Sequence, residues 1–236
     1  MLAALRLAVS ATDVASINWG QGEHSYSRAQ RAEMHSILQG AAARHVTVDA
    51  GSGDFGASSD PRLTANPSAG LYISETAMGG PAGGGSGGGF SHLYARPAYQ
   101  SGVPGISAAR GVPDVAGAGQ WIIPFVFAGG GKTWNLAFGG VSDSAPLWGG
   151  VMALADQYAR HDLGFVNPAI YRIARSTSYH QAFHDVTTGN NTVHAGSVTI
   201  TGYQAAPGWD PVTGWGSPDA QVLVPLLARL TSPSKT

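Results

Sequence analysis

The run from Gly139 to Trp148, Gly-Gly-Val-Ser-Asp-Ser-Ala-Pro-Leu-Trp, sets a serine where a nucleophile can be mounted. Two glycines lead into Ser142, and Pro146 stands four positions beyond it at the head of an apolar stretch. Glycine lets the backbone bend sharply and lets a substrate come close. Proline fits a first helical turn, whose N–H groups have no intrahelical partner. A helix N-terminus also presents partial positive charge where an oxyanion would form. The chemistry that suits this spacing is acyl transfer to a hydroxyl. The same residues also suit a serine capping an ordinary core helix, and the rest of the chain must decide.

Composition narrows the field. At 236 residues the chain can bury a full core. Charged residues make up 11%, lysine occurs only at Lys132 and Lys235, and the net charge is −1. Neither a basic nucleic-acid face nor an acidic tail is present, so no nucleic-acid partner is expected. No apolar run is long enough to cross a bilayer, and no membrane partner is expected. Met1 to Val9 has a faint signal-like apolar pattern, but Arg6 interrupts it and it runs straight into a strand, so a helix of the fold is expected there. The absence of cysteine excludes disulfides and thiolate chemistry.

The elements that must position Ser142 follow from periodicity. Val14 to Trp19 is short, β-prone and ends at Gly20. Residues 27–44 carry Met34, Ile37, Leu38 and Ala41 at helical spacing. Val46 to Ala50 is a second strand, ending in Gly51-Ser52-Gly53-Asp54. Strand, helix, strand with short links predicts a βαβ unit and a parallel sheet. Ligands of such sheets bind beyond the carboxyl ends of the strands, here Trp19-Gly20 and Ser52-Gly53-Asp54. Residues 79–91 form a glycine-rich loop. Arg110 and Asp114 are spaced to form a structural ion pair, and residues 121–127 and 133–138 predict a hairpin. A helix is expected from Ser142 to about Tyr158, its Gly149-Gly150 pair tolerated only if close packing requires it.

Seven motifs now stand in one order: Ser16-Ile17-Asn18-Trp19-Gly20, Gly51-Ser52-Gly53-Asp54-Phe55-Gly56, Gly87-Gly88-Gly89-Phe90-Ser91, Arg110-Gly111-Val112-Pro113-Asp114, the Ser142 run, Phe183-His184-Asp185-Val186 through Asn191, and Gly208-Trp209-Asp210-Pro211 through Pro218. Together they make the chain resemble the sedolisin (serine-carboxyl) peptidases. The resemblance implies an α/β fold with a parallel, subtilisin-like sheet flanked by helices, here N-terminally incomplete. One partial peptidase domain over residues 1–230 is expected, with the glycine-rich loop internal and residues 231–236 as a tail. The implied activity is acid endopeptidase action on a polypeptide substrate, in a family whose members are secreted. Ser142 falls at the nucleophile. Asp54 falls at an oxyanion-hole aspartate that is protonated in acid and donates its O–H, although a plain Asx turn would use the same residue. Asn18, Trp19 and Gly20 would pair with an extended substrate backbone. Asp185 and Asp210, with the carbonyls of Val186, Ala206 and Gly208, would hold one structural Ca²⁺, oxygen ligands suiting a hard cation. Turn-forming Asp and Asn residues without a metal would give the same letters.

The chain also departs from that family. Its serine is activated by a glutamate with an aspartate four residues later. The three glutamates here are Glu23, Glu33 and Glu75, and four residues on stand Ser27, Ile37 and Gly79. The base is therefore missing from these residues, and an N-terminal segment would have to carry it. Between Asp54 and Phe90 the chain is shorter than the family pattern, and Val141 and Asp143 replace a threonine and a small apolar residue. An Asp-His-Ser triad is excluded, because no histidine lies in a His-Gly-Thr context.

Overall fold

The computed structural model describes residues 2–18, 23–52, 54, 64–66, 71–79, 84–119, 124–129, 132–137, 140–195 and 197–231. Helix α1 (Leu2–Ala11) leads into β1 (Val14–Ile17), α2 (Arg28–Ala43) and β2 (Thr47–Ala50). α2 begins on a capping box: Ser27 Oγ accepts from the Gln30 amide, and Gln30 Oε1 accepts from the Ser27 amide. β1 and β2 pair in parallel, Val14 opposite Thr47 through Ile17 opposite Ala50, as the βαβ reading requires.

Strand alternation divides this pair into two faces. Ala15 and Val46 pack with Leu5 and Val9 of α1 and Ile37 and Ala41 of α2 in one apolar cluster. Ser16 and Asp49 point the other way, onto helix α3 (Val141–Ala159). Behind α3 lies the larger core, in which Trp148, Val151, Met152 and Ala155 meet α4 (Asn167–Ala174), α5 (Tyr179–Ala182) and α6 (Ala220–Leu230). Helices on both faces of a parallel pair define the α/β architecture.

The remaining strands form short antiparallel pairs: β3 (Thr64–Asn66) with β4 (Leu71–Ser74), β5 (Gly89–Ala95) with β6 (Ala109–Val112), and β7 (Pro124–Gly129) with β8 (Lys132–Ala137). β9 (Phe183–His184) pairs with β12 (Ser217–Pro218), and β10 (Val193–Ala195) with β11 (Val198–Ile200). The β7–β8 hairpin matches expectation, while the end of the glycine-rich stretch, Gly89 to Ser91, is strand rather than loop. The Arg110–Asp114 ion pair forms at 2.5 Å and extends through the Tyr171 hydroxyl, which donates to Asp114 Oδ1.

Two expectations about α3 need correction. A Cβ on Gly149 would lie 3.4 Å from Asp49 Oδ1 and 3.5 Å from Ser16 Cβ, whereas one on Gly150 would meet nothing. Only the first glycine serves packing. Pro146 is not in the first turn either: the helix starts at Val141, so Pro146 is its sixth residue.

Candidate active site

Three anchors hold the N-terminal half of α3. The Gly140 amide donates to the Gly119 carbonyl, Ser144 Oγ to the Ala118 carbonyl at 2.9 Å, and Trp148 Nε1 to the Ala116 carbonyl at 2.7 Å. Positions 140, 144 and 148 form one stripe of the helix, and it is stitched to the segment after β6. Gly140 caps the helix with φ of 136° and offers no side chain to its orphan amides. Asp54 supplies one from outside: its Oδ1 accepts from the Val141 amide at 2.8 Å. A Cβ on Gly140 would stand 3.1 Å from that same oxygen. The carboxyl therefore docks against the turn that carries Ser142, and Ser142 itself is exposed as the second helical residue.

Pro146 has a consequence at this corner. An α-helical carbonyl accepts from the amide four residues on, and for Ser142 that residue is proline, which has no N–H. The Asn18 side chain fills the gap, its Nδ2 donating to the Ser142 carbonyl at 3.0 Å. Asn18, expected at the substrate edge, thus holds the backbone of the candidate nucleophile. Trp19 and Gly20 lie outside the described residues. Pro146 four residues after Ser142 was the available signal for a missing donor, but not for which residue supplies it.

The residues of the expected metal site are linked by hydrogen bonds in two sets, Asp185 with Gly208, and Asp210 with Ala206 and, through Thr213, with Val186. Asp185 Oδ2 accepts from the Gly208 amide at 2.9 Å, and its Oδ1 is buried without a hydrogen-bond partner. Asp210 is 2% exposed and accepts from the amides of Ala206, Val212 and Thr213 and from the Thr213 hydroxyl. Burial pushes the Asp210 carboxyl up, and those donors oppose it. Thr213 Oγ1 also reaches the Val186 carbonyl at 3.4 Å. An orphaned carboxylate oxygen beside clustered carbonyl-bearing loops fits a hard cation. No group of three or more His, Cys, Asp or Glu side chains gathers among the described residues, so carbonyls would have to complete the shell.

Two carboxyls, one half-buried and one buried, had no motif to announce them. Asp49, on the face of β2 that meets α3, accepts from Ser16 Oγ at 2.9 Å, while its Oδ1 is buried and unpartnered. Burial pushes it up to about 6. It lines a small cavity of about 100 Å³ behind α3 together with Ser144, Trp148 and Thr213. Glu75 is 8% exposed, and Ser217 Oγ lies within 2.7 Å of Oε1 and 2.6 Å of Oε2. Burial raises it as well. Neither carboxyl touches Ser142 in a hydrogen bond, so neither replaces the missing base. His184 stacks on Tyr72 with centroids 3.7 Å apart, which accounts for a histidine that no triad uses.

The helical layers about the parallel β1–β2 pair give an α/β, subtilisin-like fold. The chain belongs to the sedolisin family. It is 36% identical over 235 residues to kumamolisin of Bacillus sp. (strain MN-32), an alignment covering 87% of this chain and 40% of that protein. It is 30% identical over 260 residues to human tripeptidyl-peptidase 1, covering 91% and 43% respectively. The structure of Pseudomonas sedolisin, a serine-carboxyl proteinase complexed with two molecules of pseudo-iodotyrostatin, superposes with a TM-score of 0.81 at 26% identity, over 97% of this chain and 69% of that one. No family model matches the chain. It spans about 40% of the length of these curated relatives.

Proposed function

We propose that this chain is the nucleophile-bearing part of a serine endopeptidase that works in acid. Ser142 would attack the peptide carbonyl. Asp54, in its acid form, would use its O–H to stabilise the oxyanion, a contribution typically of about 3 kcal/mol. The observation that carries the reading is the docking of Asp54 on the Val141 amide, one residue before the serine. Seven ordered motifs support it. The substrate would be polypeptide, bound along the Asn18–Gly20 edge.

A hydroxyl without a base is a poor nucleophile, and none of the three glutamates has an aspartate four residues on. The reading therefore places the Glu/Asp pair on an N-terminal segment outside these residues. The chain alone is expected not to hydrolyse casein at pH 3–5. Turnover by the chain alone that is lost on Ser142→Ala would overturn that assignment. The same sequence observation favours a second reading, a non-catalytic calcium- or peptide-binding remnant of a peptidase. Addition of a purified segment carrying Glu-x-x-x-Asp separates the two: it restores Ser142-dependent cleavage only under the first.

In both readings Asp185 and Asp210, with the carbonyls of Val186, Ala206 and Gly208, would bind one Ca²⁺ that clamps the loops between β9 and β12. Calcium is expected to raise the melting temperature of the chain and to leave that of Asp185→Asn unchanged. An equal rise in both would remove the ion from this site.

A further inference from the structure

Asp54 is held by its side chain and by its backbone. The carboxyl accepts from the Val141 amide, and the main-chain carbonyl accepts from the Gly85 amide at 3.1 Å. Gly85 opens a short run, Gly85 to Gly88, in which Gly85 and Ser86 are buried. The contacts of this run alternate, as those of an extended chain do. On one side Gly85 meets Asp54, and Gly87 lies so close to Ser52 that a Cβ there would run into the Ser52 carbonyl oxygen. On the other side Ser86 Oγ donates to the Val212 carbonyl at 3.5 Å, and a Cβ on Gly88 would run into the Pro211 carbonyl oxygen.

Those two sides are the loops that carry the candidate carboxyls. Ser52 leads into Asp54, while Val212 and Thr213 fold back so that their amides donate to Asp210 Oδ1 at 2.7 and 2.8 Å. The space between the loops is one bare backbone thick, which is why glycine stands at both points of closest approach. Ser52, Ser86, Val141 and Val212 also line the cavity beside Asp49, so the strap, both loops and the start of α3 meet at one place.

We propose that residues 85–88 are a positioning strap for Asp54, coupling the Asp210 loop to the carboxyl beside Ser142 so that a shift of either loop moves the other. Ser86, Gly87 and Gly88 act through Asp54 and touch no substrate. The seat they control is narrow. Asp54 Oδ1 stands 2.8 Å from the Val141 amide, and such a bond is lost once the atoms part beyond about 3.5 Å, so a displacement of under about 1 Å unseats the carboxyl. Coupling of this kind is reciprocal, and a disturbance on the Asp54 side must reach the amides around Asp210 as well. The bearing on catalysis rests on the reading of Asp54 as the oxyanion carboxyl. The coupling itself is measured at Val141, whether or not Asp54 stabilises an oxyanion, so the two fail separately.

Amide hydrogen exchange, followed by NMR on the whole chain, tests it. Val141 reports the seat of Asp54, Val212 and Thr213 report the Asp210 loop, and Ala155, in the core part of α3, reports global opening. The expected pattern is crossed. Gly88→Ala, against the Asp210 loop, should speed exchange at Val141 at least about tenfold relative to Ala155, and Gly87→Ala, against the Asp54 loop, should do the same at Val212 and Thr213. Thr213→Val leaves the strap intact and takes one hydroxyl from Asp210. It should speed Val141 about threefold relative to Ala155, and it decides the question where an alanine variant unfolds. A loss of stability alone moves all these amides together. Effects confined to the substituted loop, or exchange at Val141 that rises only in step with Ala155, would overturn the proposal.

Discussion

Asp210 is buried and Asp49 half-buried, and burial pushes both carboxyls upward, yet the regions around them are built for opposite states. Asp210 sits in the loops between β9 and β12 with three amides and a hydroxyl aimed at its two oxygens. That many donors are arranged for a negative charge. Asp49 sits between β2 and α3, where one serine hydroxyl meets one oxygen and the other oxygen faces the backbone of Gly149. That seam suits the neutral acid. The difference teaches that burial alone does not set what an aspartate does: the number of donors the backbone brings to it decides.

The sharpest way to break the comparison is to remove the donor-rich carboxyl. Asp210→Ala leaves the buried amides of Val212 and Thr213 without acceptors. At about 1–3 kcal/mol for each unsatisfied group, a loss of at least ~2 kcal/mol is expected in urea unfolding with a chelator present. A loss under ~1 kcal/mol would mean that the loops do not depend on this carboxylate, and the contrast with Asp49 would fail.

The second effect concerns pH. The Asp49 carboxyl stands at about 6 in the folded chain against an ordinary 3.8, so between those values the folded state holds more protons than the unfolded one. Its contribution is complete below about pH 4 and is lost as the pH rises through 6. A shift of that size corresponds to ~3 kcal/mol for a dry site, and solvent at this half-buried side chain brings it to roughly 1–2 kcal/mol. Glu75, raised in the same direction, adds to the fall. Asp49→Asn, neutral at every pH, is expected to be more stable than the parent at pH 7 by roughly 1–2 kcal/mol and to show a shallower decline from pH 4 to 7 in thermal melts. Identical pH profiles would place the charge of Asp49 in a better-solvated setting than the seam provides.

Much of this arrangement was legible in the sequence where the signal is local. Helical spacing from Met34 to Ala41 and the two β-prone runs that became β1 and β2 are properties of neighbouring residues, and they specify the βαβ unit. The family was legible because several short motifs, those around Asp54, Ser142, Asp185 and Asp210 among them, stand in a fixed order. What stayed hidden depends on residues far apart. Asp49 differs from its strand neighbours by one letter, and its meaning comes from Gly149, a hundred positions on. Buried Glu75 finds its partner in Ser217, 142 residues away, whose hydroxyl lies within reach of both its oxygens. Nothing near Gly150 shows that it faces open space while Gly149 does not. The position of Pro146 differs from expectation for a related reason: whether a proline is in the first or second turn depends on where the helix starts, and here that start, Val141, is held by a tertiary contact from Asp54.

The smallest effect applies the same count of donors to a carbonyl. Pro146 withholds the amide that Ser142 would normally receive, and Asn18 replaces it from β1's end at 3.0 Å. Asn18→Ala should therefore cost about 1 kcal/mol, the usual net worth of such a bond. Pro146→Ala returns an amide at the correct helical offset. In that background the Asn18 side chain becomes redundant, and Asn18→Ala should cost only a few tenths of a kcal/mol. The coupling between the two sites, read from a double-mutant cycle in urea, is expected at ~0.5–1 kcal/mol. Strict additivity would show that the Ser142 carbonyl finds its donor elsewhere. In that case Asn18 would return to the substrate edge where its motif first placed it.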